Sequence, residues 1–138
     1  MIIEFTGHIK KAIREESELA IWFAKEQLMP RYRKIDITVK FVRNLRAKEG
    51  IHGDVLDEDD REYTIRVDSG QARKEIIATI LHEMVHVYQY ATRKMTQPCG
   101  DRIIYEKKAY PWDMEYEQKP WEIEAHALER VLYDNFYK

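Results

Sequence analysis

Between Ile76 and Tyr90 the chain reads IIATILHEMVHVYQY, and this stretch restricts the fold more than any other. On a helical wheel at about 100° per residue, Ile76, Ile77, Ile80, Leu81, Met84, Val85 and Tyr88 gather on one broad side. His82 and His86 leave the opposite side beside Ala78 and Thr79, with Glu83 and Tyr90 at its margins. An apolar side that wide has to be covered by a core, and the histidine face is kept apart from it. Two imidazoles four residues apart project one turn apart, the spacing that grips a single metal ion. The competing reading is a core helix that carries two histidines with no ion between them.

The elements around this helix follow from local pattern. A helix is expected from Gly7 to Met29, where apolar residues recur at helical spacing until Pro30. IDITVKFV (35–42) alternates and is β-branched, so it reads as a strand. GDVLD (53–57) and EYTIRVD (62–68) flank an acidic turn and suggest a hairpin. In the second, Tyr63, Ile65 and Val67 point one way, with Glu62, Thr64, Arg66 and Asp68 the other. Ser69 could cap the histidine helix, placed at about 71–92. A last helix runs from Pro120 or Trp121 to Phe136, with proline suited to its first turn. The connection 92–119 contains Pro98, Gly100 and Pro111, and is read as irregular with a short strand at RIIYE. Helix, three strands, helix, loop and helix make an α+β domain with a small, mostly antiparallel sheet. With 138 residues and no repeat or linker, residues 1–138 are read as one domain.

The chemistry of an H-E-x-x-H helix is specific. Zinc lowers the pKa of a water it holds toward about 7 and polarises a carbonyl oxygen. Glu83, directly after the first histidine, is set to act as general base on that water and to pass its proton to a leaving nitrogen. A third ligand has to come from elsewhere. The last helix offers Glu122, Glu124, His126 and Glu129. Its apolar stripe, taken as Trp121, Ala125, Leu128, Val131, Leu132 and Phe136, encloses Glu124, whereas Glu122 and Glu129 sit at its edge and His126 points toward solvent. A carboxylate facing a packed interior is costly unless paired or metal-bound, so Glu124 is the expected third ligand. Pairing with an arginine at the helix margin is the alternative.

HEMVH followed by EIEAHAL on a later helix resembles the gluzincin branch of zinc metallopeptidases. The likeness is to its minimal one-domain members and to phage and bacterial peptidases that regulate repressors. That resemblance implies a zincin-like fold with Zn2+ held by His82, His86 and Glu124, and Glu83 as the base. It also implies EYTIRVD as the edge strand above the cleft, taking an extended protein or peptide substrate by strand addition. The branch often has an acid four residues after the ligand glutamate, and Leu128 stands there. SprT-like peptidases, which act on DNA-associated proteins, share the first motif but use a third histidine, and His126 would supply it. A metal-stabilised regulatory or binding module that does not cleave is the reading from a different class.

Charge bears on partners. Residues 31–48 carry seven basic residues against Asp36 alone, and residues 49–68 carry eight acidic residues against Arg61 and Arg66. These read either as two solvated faces or as a basic surface for phosphate; the net charge of −2 gives no general pull toward nucleic acid or membrane. DEDD lacks calcium-loop spacing and is read as a turn. The single Cys99 excludes an internal disulfide and suits a reducing compartment. No leader-like or bilayer-length apolar run is present, so a cytoplasmic protein is expected. Tyr105, Tyr110, Tyr116 and Tyr133 are candidate oxyanion donors, and His52 reads as a turn histidine.

Overall fold

The computed structural model describes residues 1–98 and 100–138. Cys99, expected to be a free loop thiol, lies outside them. Four strands form a mixed sheet: β1 (Ile2–Thr6), β2 (Asp36–Val42), β3 (Gly53–Asp59) and β4 (Glu62–Asp68). Their order is β1-β2-β4-β3, with β1, β2 and β4 parallel and β3 antiparallel to β4. Three longer helices accompany it, α1 (Lys11–Leu28), α3 (Arg73–Ala91) and α4 (Pro120–Phe136), and α2 (Leu45–Glu49) is a single turn. Among the described residues no helix is long and apolar enough to cross a membrane.

The α+β class agrees with the sequence reading, but the sheet, expected to be three-stranded and mostly antiparallel, has four strands with two of its three pairings parallel, and two strands account for the difference. The first is β1, for which no element was expected. Parallel pairing needs a crossover, and α1 provides it between β1 and β2. The second is β4, expected as an edge strand and found between β2 and β3. Its burial explains the place: Tyr63, Ile65 and Val67 enter the core as expected, but Thr64 and Asp68 on the other side are buried too. The edge strand beside β4 is therefore β3, GDVLDED, with β1 at the opposite edge.

The main core joins the inward residues of β2 and β4 to Ala20, Ile21 and Ala24 of α1 and to the apolar side of α3. Ser69 does not cap α3, which starts after Ala72. Asp68 instead accepts hydrogen bonds from the backbone N–H of Gly70 (2.9 Å) and Arg46 (3.0 Å), tying β4 to the turns on either side. The connection after α3 is more ordered than expected. It holds a second, antiparallel sheet of β5 (Met95–Thr96), β6 (Arg102–Tyr105) and β7 (Lys108–Pro111). Met95, Ile103, Tyr105 and Trp121 form a smaller core beneath it.

Candidate metal centre

Helices α3 and α4 pack side by side, with Ala125 and Leu132 buried in the main core and Trp121 in the smaller one. The buried stripe of α4 is narrower than its sequence suggests, because Val131 is 54% exposed. Glu122, His126 and Glu129 recur at i, i+4 and i+7 on one flank of that stripe, facing His82 and His86 on α3. Glu124 lies about 200° around the helix from Glu122, on the other flank. This overturns the expected placing of Glu124 beside the histidines. Counting Val131 as core had widened the stripe until it enclosed Glu124.

The carboxylate that reaches both histidines is Glu122. Its Oε1 lies 3.0 Å from His82 Nε2 and 3.1 Å from His86 Nε2. The ligand atoms of His82, His86 and Glu122 all fall within 4.8 Å of one another. Ligands about 2.0–2.1 Å from a tetrahedral zinc stand about 3.3 Å apart, so the cluster fits an ion with little movement. The donor set of two imidazoles and one carboxylate suits catalytic zinc. A further sign is Glu83, whose Oε2 is buried with no hydrogen-bond partner. Among the described side chains it is the buried polar atom left unsatisfied, and a water on an ion would satisfy it.

The opposite ring nitrogens are also held. Glu129 Oε1 is 2.9 Å from His82 Nδ1, and Gln89 Oε1 is 2.7 Å from His86 Nδ1. An Nδ1–H donated to each oxygen leaves both Nε2 lone pairs aimed at the space beside Glu122. Gln89 is fully buried. Its amide donates to the Trp121 carbonyl (3.0 Å) and to Glu124 Oε1 (2.9 Å). Glu124 in turn pairs with Lys94. Its carboxylate thus holds the residue that holds His86, one layer behind the donors. His126 stays outside, its side chain 56% exposed, and belongs with His82 and Glu129 to a second cluster that shares His82.

Neighbouring charges shape the ionisation of the cluster. Burial disfavours a charged His82, but hydrogen bonds to Glu122 and Glu129 outweigh it and raise its pKa to about 10. His86 is likewise raised against burial by Glu122. Burial raises Glu122, yet the two imidazoles hold it well below the carboxylate range. Burial pushes Glu83 up to about 7 against the pull of both histidines. Positive charge is thus favoured where the donors converge.

One of the four tyrosines reaches this centre. Tyr116, on a 3-10 turn before α4, donates to Glu122 Oε1 (3.1 Å) and stands 2.8 Å from His126 Nε2. Tyr105 lies beside Lys94, Tyr110 packs on Trp121, and Tyr133 packs on Tyr137. On the other side of the cleft, β3 passes close to α3. A Cβ on Gly53 would meet Thr79 Cγ2 at 2.6 Å and lie 3.7 Å from Glu83 Cγ, so glycine permits the approach. The seven basic residues of 31–48 are all exposed, and His52 lines the cleft.

The sequence offers Glu122 and Glu129 as candidates but favours Glu124 over them, and Gln89 goes unrecognised there. Their signal was periodic: Glu122-His126-Glu129 at i, i+4, i+7 opposite His82-His86 at i, i+4, and Gln89 one turn beyond His86. Comparison of the chain with family models, curated proteins and solved structures gives no match.

Proposed function

We propose that the chain is a zinc-dependent peptidase in which His82, His86 and Glu122 hold the ion and Glu83 is the general base. The observation that carries this reading is the convergence of both Nε2 atoms on one Glu122 oxygen, beside a buried carboxylate with no partner. Zinc bound there would polarise the scissile carbonyl and acidify the attacking water. Glu83 would take a proton from that water as it adds to the carbonyl carbon, then deliver it to the amine nitrogen as the C–N bond breaks. Tyr116 and His126, at the rim of the same cluster, are placed to donate to the oxyanion. The unpaired edge of β3 would hold the peptide extended. A helix pair beside a mixed sheet with a free edge supports a zincin-like arrangement, although the site and not the fold carries the function.

The test uses casein as an unfolded protein substrate with zinc-loaded protein. Glu83→Gln is expected to keep its zinc and lose at least about 100-fold in rate. Equal rates for variant and wild type would remove Glu83 from the reaction. Zinc bound by wild type without hydrolysis would favour a non-cleaving module. The SprT-like reading takes His126 as third ligand beside His82 and His86, and zinc lost in His126→Ala but retained in Glu122→Gln would select it.

A further inference from the structure

The cleft that contains the donors extends well beyond them, and its two ends differ in chemistry. It is a cavity of about 910 Å³, near the upper size for a ligand site. One end is polar, with His52, Gln71, Glu75 and Thr79 near the start of α3. The other end is apolar. Met95, Ile103 and Trp121 are buried members of the smaller core that also form the floor here. Leu56 of β3 and Trp112 after β7 line the same end, 44% and 47% exposed. A contiguous apolar patch rimmed by polar residues at a cavity is the pattern of a ligand-binding groove. The Lys119 ammonium stands 4.7 Å from the Trp112 ring centre.

Position and charge narrow the occupant. Tyr90, also in the lining, follows His86 by four residues, or about 6 Å along the helix axis. An extended chain rises about 3.3 Å per residue, so the apolar end lies one or two residues from a bond held at the donors. The exposed edge of β3 borders this end, since β3 pairs with β4 on one side only. Among the described residues the lining has five carboxylates, Asp54, Glu75, Glu83, Glu122 and Glu129, and no lysine or arginine.

We infer that the apolar end is a side-chain pocket for a large apolar or aromatic residue of an extended peptide added as a strand to β3. An aspartate or glutamate at that position would give up its hydration to apolar surroundings. The pocket, not general affinity for unfolded chain, sets where the protein engages its substrate. This inference rests on the peptidase reading and names its substrate class.

The test separates the two. Zinc-loaded Glu83→Gln is titrated with blocked ten-residue fluorescent peptides that scan one position through Phe, Leu, Ala and Asp, read by anisotropy. Phe or Leu at one position is expected to bind at least ten-fold tighter than Ala, and Asp weaker still. Leu56→Ser and Trp112→Ala, both at exposed positions, are expected to reduce the Phe-over-Ala ratio to less than three-fold with zinc content unchanged. Wild type is run in parallel for cleavage of the same set, and its cuts are expected within two residues of the Phe or Leu. Equal affinity across the set, or a Phe preference that survives both substitutions, would overturn the pocket. Absence of zinc from wild type would instead overturn the peptidase reading, and peptide discrimination by that metal-free protein would leave the pocket standing alone.

Discussion

Two flanks of α4 carry carboxylates two residues apart, and their surroundings give them different work. On one flank Glu122 meets two imidazoles from α3 and lies in the cleft. On the other, Glu124 meets Gln89 and Lys94 under the second sheet. Both are largely shielded from solvent, so burial alone does not tell a ligand from a support. What tells them apart is the partner: Glu122 faces two nitrogens that can each give a lone pair to a metal, whereas Glu124 faces donors that already satisfy it. A carboxylate that looks misplaced in an apolar stripe can be answered by a lysine as well as by a metal.

That contrast can be broken in graded steps. Glu122→Gln is expected to weaken zinc binding by more than 100-fold, measured by competition with a chromogenic chelator, while Glu124→Gln weakens it by less than ten-fold. Comparable losses in both variants would erase the distinction. Gln89→Ala and Glu129→Ala should fall between, at about 10–100-fold, because each removes the acceptor for one histidine's Nδ1–H. Gln89→Met, which keeps the bulk but offers His86 Nδ1–H no acceptor, should lose as much affinity as Gln89→Ala, and this separates orientation from mere packing.

The edge strand gives a smaller effect. Gly53→Ala places a methyl against Thr79 and the Arg66 carbonyl, and is expected to cost about 1–3 kcal/mol of stability, read by urea unfolding. The smallest effect lies far from the cleft. Burial raises the Glu16 carboxyl, but hydrogen bonds from Tyr137 and Arg73 outweigh it and hold the group below 4.5. A carboxylate depressed in the folded state adds stability that is present above its unfolded value and is lost as pH falls through the folded one. Glu16→Gln should therefore flatten the acid limb of the stability curve below about pH 4.5, with little other change in its shape. An unchanged acid limb would remove Glu16 from the acid response.

Much of the frame was legible because its signals were local. The apolar side of α3, the alternation of β2 and β4, and proline at the start of α4 each reflect short-range periodicity, and His82 and His86 share a face for the same reason. Sheet order was not legible. β1 has five residues and pairs with a strand thirty residues on, and whether β3 or β4 lies outermost depends on long-range packing. The third carboxylate failed on one residue: Val131 is apolar but exposed, and treating it as core shifted the apparent stripe toward Glu124. The polar face formed by Glu122, His126 and Glu129 was present in the sequence, yet its meaning depends on α4 lying against the histidine side of α3.

The most direct test is crystallographic. The protein would be crystallised with zinc and an anomalous difference map recorded at the zinc edge. One strong peak is expected about 2.0–2.2 Å from His82 Nε2, His86 Nε2 and a Glu122 carboxylate oxygen, with Glu124 still on Gln89 and Lys94. A peak bound by Glu124, a peak bound by His126 in place of Glu122, or no peak at full zinc occupancy of the buffer would contradict the proposed centre.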